Sequence, residues 1–246
     1  MTTAPTAQSL VGRCVLVAGG TGAVGEGVVR QLLEAGATVV VPGRNEAALE
    51  RLSEVLGTPK TLLTMPADIG DDERAHWLRG EIMSVCGGLD AAVASLGGWI
   101  EGHDLDHLPI DTWRTVLDNN LTSHWIAART FAPMVRERSG TYLMLNGGAA
   151  LGPAPKAGAM SIAAGAQRML AQVLDAENDG LRVHSLVLDT PILTRARPEG
   201  RPSWPSAEEV GRAVVALLRG DAKRSPELEL RVRNRAQLHA LAQPPA

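Results

Sequence analysis

The sequence predicts an α/β protein with one doubly wound domain over residues 1–246, in which a seven-stranded parallel sheet carries helices on both faces. Strand-like and helix-like runs alternate along the whole chain, and strands separated by helices of about ten residues or more favour parallel pairing. The composition fits such a core, because 45% of the residues are hydrophobic and only 3% are aromatic. Small apolar side chains let helices lie close against a sheet.

The predicted elements follow from hydrophobic periodicity and from Gly and Pro punctuation. One stretch, RARPEGRPSWPS at 195–206, breaks the alternation and is rich in Pro, Gly and Arg. It follows the sixth strand and predicts either a mobile loop over the site or a plain surface loop. Residues 234–246 are expected to form a tail. Strands are predicted near 13–18, 38–42, 60–65, 90–96, 141–146, 182–189 and 227–232, and helices near 23–35, 45–56, 71–86, 111–138, 158–178 and 206–219.

A glycine-rich turn between the first strand and the first helix is the strongest functional signal. The apolar run Val15–Val17 stops at a segment that contains four glycines and then becomes amphipathic. Glycines permit a tight turn and close backbone approach to a phosphate, and the following helix N-terminus offers free N–H groups. The pattern predicts a Rossmann-type dinucleotide site; the alternative is a βα turn that binds nothing. The expected cofactor-binding residues of this turn are Gly19, Thr21, Gly22, Ala23, Val24 and Gly25.

The second strand indicates which dinucleotide is bound. Its end, at 40–43, carries no acidic residue for a ribose 2′-hydroxyl, and Arg44 follows. A guanidinium suits a 2′-phosphate, so the sequence favours NADP(H) over NAD(H); the alternative is a surface arginine that opens a helix. Asp68 and Ile69, after the third strand, are expected at the adenine, unless Asp68 is the N-cap of the next helix.

Charge and cysteine usage limit the partners. The net charge is −3 with acids and bases interspersed, which argues against nucleic-acid binding. No apolar run reaches the length of a membrane span, no secretory signal is recognised, and the two cysteines, Cys14 and Cys86, lack metal-ligand spacing. We therefore expect a cytoplasmic protein with free thiols, no membrane or metal, and a small-molecule ligand. The cluster at 103–107, with two His and two Asp residues, is interpreted as a solvated face rather than a metal site.

Over nearly its whole length the chain resembles the short-chain dehydrogenase/reductase family. The resemblance includes the glycine turn, GRNEAALERL at 43–52, ADI at 67–69, DNNLTSHW at 118–125 and AEEVGRAVVALL at 207–218. It implies that Asn120 supports a proton relay, that Gly97 borders the cofactor and that Thr194 contacts the nicotinamide. It also implies a homodimer or homotetramer formed through the fifth and sixth helices.

The resemblance fails at the catalytic positions. The family's Ser, Tyr and Lys fall on Gly147, Met160 and Ala164, none of which can donate or accept a proton. The single tyrosine, Tyr142, begins the fifth strand and lies roughly 16 Å from the carboxyl edge. Candidate substitutes are Asn120, Asn146, Lys156 and Arg168.

Three functions follow from this mixture of retained and lost motifs. The first is a cofactor-binding pseudoenzyme or sensor, and the second is an NADP(H)-dependent oxidoreductase with a non-standard proton donor. The third is a structural protein that no longer binds nucleotide. Glu26, beside the third glycine of the turn, supports the third function because a carboxylate repels a pyrophosphate, although we expect this side chain to point to solvent.

Overall fold

The computed structural model describes residues 10–220 and 228–243, and it confirms the predicted seven-stranded parallel sheet. The strand order is β3-β2-β1-β4-β5-β6-β7. The chain therefore leaves β1 in one direction to form β2 and β3, then returns to place β4 on the other side of β1. In doubly wound sheets this switch point is where ligands bind, at the carboxyl edge. The strands are β1 Cys14–Ala18, β2 Thr38–Gly43, β3 Leu62–Pro66, β4 Ala91–Ala94, β5 Thr141–Gly147, β6 Arg182–Leu188 and β7 Glu229–Val232.

Helices cover both faces of the sheet, because alternate residues of each strand are buried on opposite sides. Val15 and Val17 of β1 pack on one core, and Leu16 packs on the other. The first core also buries Val28 and Val210, and helices of the opposite face supply the second. The helices are α1 Ala23–Glu34, α2 Glu46–Val55, α3 Asp72–Cys86, α4 Ile110–Leu117, α5 Ser123–Glu137, α6 Gly158–Glu177, α7 Ala207–Arg219 and α8 Arg235–Ala242.

The prediction of one continuous helix over 111–138 is wrong. The structure has α4, then a π-helical turn at Asp118–Thr122, and then α5. The Asn120 side chain donates from Nδ2 to the Val116 carbonyl oxygen at 3.1 Å and accepts from Gly98. Single π turns of this kind accompany functional sites, and periodicity alone cannot reveal them.

The predicted tail at 234–246 contains a helix, α8, and residues 244–246 lie outside the described chain. The Asn234 side chain caps α8, and Leu238 is fully buried. Glu209 of α7 holds the helix through Arg235, at 3.0 Å, and His239, at 2.6 Å. Two side-chain contacts to one carboxylate thus fix a segment whose local pattern is too short to predict a helix.

The segment 195–206 is held at both ends by backbone contacts. Leu193 bridges Ser206, and Thr194 bridges Arg197. Whether the 195–206 loop moves stays a prediction.

Both cysteines, Cys14 and Cys86, are free thiols. None of the described helices is long and apolar enough to cross a membrane.

A buried histidine joins α5 to the end of β4. His124 is fully buried, and its Nε2 lies 3.2 Å from the Leu96 carbonyl oxygen. Burial lowers the pKa of His124 to about 4, because the imidazolium would lose its hydration, although the Leu96 contact acts in the opposite direction. The ring is therefore neutral in the folded protein at neutral pH and donates to Leu96.

This neutral histidine predicts an acid-dependent loss of stability. Between pH 6.5, its ordinary pKa, and about pH 4 the unfolded chain binds a proton that the folded chain excludes, so the free energy of unfolding falls as pH falls. We expect a loss of about 2 kcal/mol between pH 7 and pH 5 in urea unfolding. His124→Gln should lose less over this interval, and the exposed His76→Gln should behave like the wild type. An unchanged pH slope in His124→Gln would contradict this assignment.

Candidate functional site

The glycine turn is fixed by two close backbone approaches. Gly19 has a φ of +85°, and a Cβ placed there would lie 2.1 Å from the Ser95 carbonyl oxygen at the end of β4. A Cβ on Gly25 would lie 2.1 Å from the Gly19 carbonyl oxygen. Only glycine fits at both positions, so the turn lies directly against the switch point between β1 and β4.

Helix α1 begins at this turn with an uncapped N-terminus. Its N-cap, Gly22, has no side chain to accept from the first-turn N–H groups, and the helix continues with Ala23 and Val24. Unpaired N–H groups together with the positive end of the helix dipole favour a bound anion. This terminus is therefore suited to the pyrophosphate of a dinucleotide.

Two adjoining cavities form one groove along the carboxyl edge of the sheet. The first, of about 480 Å³, lies over β1, β2 and β3, and the second, of about 520 Å³, lies over β4, β5 and β6. They share a wall at the switch point, made of Gly22, Ser95, Leu96, Gly97, Gly98 and Asn120.

The first cavity is lined by most of the residues predicted to bind the cofactor: Gly19, Thr21, Gly22, Arg44, Asp68, Ile69, Gly97 and Asn120. Arg44 is exposed, and its Nη1 lies 3.4 Å from Asn119 Oδ1. The N-cap of α2 is Asn45, which accepts from the Ala48 N–H, so Arg44 only precedes the cap. Asp68 accepts from the Gly70 N–H, and Asp71 caps α3; the alternative that Asp68 is the N-cap is wrong.

The second cavity surrounds the position expected for a nicotinamide. Ala23 and Val24 line it, together with Gly147, Met160 and Ala164, the residues on which the resemblance places the family's Ser, Tyr and Lys. Gly147 has open space where a side chain would stand, whereas Met160 and Ala164 are buried. Of the described residues that line this cavity, none carries an ionisable side chain.

Thr194 lies outside both cavities. Its hydroxyl oxygen accepts from the Arg197 N–H at 3.2 Å, within the turn that opens the following loop. Thr190 and Ile192 line the second cavity instead. The resemblance implies a contact from this segment, but the path of the backbone after β6 decides which of its residues face the groove.

Asn120 and Asn146 use their amide groups to hold the scaffold. Asn146 donates to the Ala164 carbonyl oxygen at 2.9 Å and accepts from the Gly147 N–H at 2.8 Å. The backbone carbonyl oxygen of Asn120 accepts from Nε2 of the buried Gln167. Sequence analysis missed Gln167, although its spacing of three residues from Ala164 places it on the same face of α6.

The other candidate substitutes are engaged elsewhere. Lys156 pairs with Asp104 at 2.5 Å, and neither lines the groove. Arg168 makes a forked contact with Glu229 of β7, at 2.6 and 2.9 Å, and this hydrogen-bonded pairing raises the pKa of its guanidinium. Tyr142 is buried between neighbouring strands, and burial raises the pKa of its phenol.

The acidic and histidine-rich segment at 103–107 forms a single 3₁₀ turn, Leu105–His107, rather than a helix with two His residues on one face. His107 contacts Asp106 at 2.9 Å, and both are exposed. Within the described ranges, no group of three or more His, Cys, Asp or Glu side chains is arranged to hold a metal ion.

Glu26 does not point freely to solvent as expected. Its carboxylate accepts from Nε and Nη2 of Arg195, both at 3.2 Å, and its side chain is only 18% exposed. The loop after β6 is thereby tied to the first turn of α1. The two residues are 169 positions apart, so no local pattern predicts this contact.

Comparisons with known proteins agree with this fold. A family model described as enoyl-(acyl carrier protein) reductase matches residues 19–209. An uncharacterised oxidoreductase of Staphylococcus aureus (strain N315) is 24% identical over 221 residues, which are 85% of this chain and 92% of the relative.

Solved structures share the architecture at low sequence identity. A short-chain type dehydrogenase/reductase from Mycobacterium ulcerans has a TM-score of 0.81 at 20% identity, covering 94% of this chain and 91% of the other. An alcohol dehydrogenase from the archaeon Thermococcus sibiricus, complexed with 5-hydroxy-NADP, has a TM-score of 0.77 at 18% identity, covering 95% and 99%.

Proposed function

Because the chain belongs to the short-chain dehydrogenase/reductase family, we propose that it binds NADP(H) but lacks the family's carbonyl-reduction machinery and acts as a pseudoenzyme or cofactor sensor. One contrast carries this proposal. The phosphate-binding turn is intact, whereas the cavity beside it has no ionisable side chain among its described lining residues.

The groove fits a dinucleotide along its whole length. The uncapped N-terminus of α1 lies between the two cavities, where the phosphates of the cofactor would be held. Arg44 at the far end of the first cavity offers a charge-assisted fork to a 2′-phosphate. The archaeal alcohol dehydrogenase of the same fold, which was solved with an NADP derivative, supports this assignment by analogy.

Carbonyl reduction needs more than a bound cofactor. The nicotinamide supplies or accepts a hydride, but a ketone oxygen must also be polarised and receive a proton. A positioned proton donor contributes roughly 10²–10⁴ in rate, and oxyanion polarisation contributes about as much. Gly147, Met160 and Ala164 supply neither effect.

An oxidoreductase with a different proton path is the second candidate. The observation that favours it is the second cavity itself, about 520 Å³ and open beside the expected nicotinamide position, with Trp99, Met160 and Ile192 in its wall. A small apolar electrophile whose hydride adduct needs no proton from the protein could react there.

The proposed location is the cytoplasm, which the free thiols of Cys14 and Cys86 support.

A homodimer or homotetramer formed through α5 and α6 is part of the proposal. Ile162, Met169 and Val173 are exposed at spacings of seven and four residues, so they form one apolar stripe on α6. Trp125 of α5 is exposed as well. A contiguous apolar surface on two neighbouring helices suits a second copy of the chain.

The first test is calorimetric titration with NADPH and, separately, with NADH. We expect tight NADPH binding and weak NADH binding. Arg44→Gln should weaken NADPH binding about tenfold and leave NADH unchanged, because only the 2′-phosphate contact is lost. Arg51→Gln, on the exposed side of α2, is the matched control. No binding of either cofactor would overturn the proposal and leave a structural protein.

The second test follows NADPH oxidation with ketones, imines and quinones. We expect no turnover of unactivated ketones by the wild type. The triple variant Gly147→Ser, Met160→Tyr, Ala164→Lys should gain ketone reduction, by about 10² or more over the wild type. Ketone reduction by the wild type would contradict the pseudoenzyme, and turnover confined to imines or quinones would establish the second candidate.

The third test concerns the apolar stripe. Met169→Glu should shift the oligomer to monomer in light scattering coupled to size exclusion, since a carboxylate buried in an apolar interface is costly. Met83→Glu changes a similarly exposed methionine on α3 and should leave the assembly intact. A monomeric wild type, or an unaffected Met169→Glu oligomer, would exclude this interface.

A further inference from the structure

A forked ion pair connects the loop after β6 to the cofactor groove. Arg195 directs Nε and Nη2 at the two carboxylate oxygens of Glu26, each at 3.2 Å. The two partners differ in freedom, because the Glu26 side chain is 18% exposed and the Arg195 side chain is 59% exposed. Glu26 belongs to a helix, whereas Arg195 extends from a loop. Of the two, the arginine is therefore the group that can change partners.

The pair lies beside the residues that form the phosphate end of the groove. The Glu26 N–H donates to the Gly22 carbonyl oxygen at 2.9 Å, so the carboxylate belongs to the first turn of α1. On the loop side, Ile192 lines the second cavity only three residues before Arg195. Glu26 and Arg195 are thus four and three residues along the chain from Gly22 and Ile192, which line the groove.

Cofactor binding changes the electrostatics of this pair. Without an anion, Glu26 is favourable at the positive end of the α1 dipole, and Arg195 neutralises it. A pyrophosphate at the same helix terminus brings two negative charges close to the Glu26 carboxylate, which they repel. The same phosphate oxygens offer a guanidinium a forked, charge-assisted contact like the one that it makes with a carboxylate, and the pyrophosphate carries two negative charges where Glu26 carries one.

We propose that Arg195 is a cofactor-binding residue whose guanidinium exchanges the Glu26 carboxylate for the pyrophosphate of the bound dinucleotide. Glu26 is the competing anion that holds Arg195 at the rim before the cofactor arrives. The exchange brings the base of the 195–206 loop toward the groove. This inference rests on the proposed NADP(H) binding and adds a residue that neither the glycine turn nor the 2′-phosphate contact includes.

The exchange predicts opposite effects for the two partners. Arg195→Gln should weaken NADPH binding about tenfold, because a charge-assisted phosphate contact is lost. Glu26→Gln should strengthen it about threefold, because the competing and repelling charge is lost. If the ion pair only holds the loop in place, both variants should weaken NADPH binding to the same extent. Dissociation constants from calorimetry decide between these outcomes.

Three controls separate the phosphate contact from other causes. Arg197→Gln removes a neighbouring positive charge of the same loop and should change the NADPH dissociation constant less than about twofold. Adenosine 2′-phosphate, which has no pyrophosphate, should bind the Arg195→Gln variant and the wild type equally. Thermal unfolding without cofactor should be similar for both Glu26 and Arg195 variants, since an ion pair whose arginine is largely in solvent contributes little to stability.

Failure of the inference can be told apart from failure of the proposed function. If the wild type binds no NADPH, both are overturned. If the wild type binds NADPH but Glu26→Gln and Arg195→Gln weaken binding alike, or neither changes it, only the exchange is overturned. Equal losses for NADPH and adenosine 2′-phosphate in Arg195→Gln would also overturn the pyrophosphate contact.

Discussion

The groove depends on one close contact, the approach of Gly19 to the carbonyl oxygen of Ser95. This contact joins the end of β1 to the end of β4 at the point where the sheet reverses its order. A second close approach lies beside it: a Cβ on Gly97 would be 2.0 Å from Asn120 Oδ1. Three segments distant in sequence thus meet where Gly19 and Gly97 carry no side chain. Their meeting point is the wall shared by the two cavities, so the shape of the whole groove follows from these glycines.

The polar groups around the second cavity stabilise the fold rather than face a reaction. In the π-helical turn, the backbone carbonyl oxygen of Asn120 accepts a hydrogen bond from the Gln167 side chain. Asn146 ties the end of β5 to α6 through Ala164. Buried amides that satisfy backbone groups in this way have few hydrogen bonds left for a ligand. The polar side chains in the wall of this cavity are thus uncharged, and those of Asn120 and Asn146 are already hydrogen-bonded within the protein.

The sequence was sufficient for those features that depend on local patterns. Apolar runs and period-3.6 hydrophobicity predicted the strands and most of the helices, and the glycine turn, Arg44 and Asp68 all belong to the predicted cofactor groove. Contacts between segments distant in sequence could not be predicted in this way. Examples are the Glu26–Arg195 ion pair, the contact of Glu209 with Arg235 of α8, and the hydrogen bond from Gln167 to Asn120. Thr194 shows the same limit, since a motif match names a segment but only the backbone path decides which side chains face inward.

The residues expected to bind the cofactor and the positions expected to donate a proton lie at different ends of this groove. Cofactor binding can therefore persist after the proton donors are lost. Among the described residues, Arg44, Asp68 and Asp118 line the first cavity, and the Glu26–Arg195 pair lies next to the glycine turn. The second cavity has no ionisable side chain among its described lining residues. Phosphate contacts can supply most of the binding free energy, so loss of the proton donors would leave affinity largely intact. A reaction in the second cavity would then be limited to acceptors whose hydride adducts are stable as formed or take a proton from water, because no described side chain in its wall can provide one.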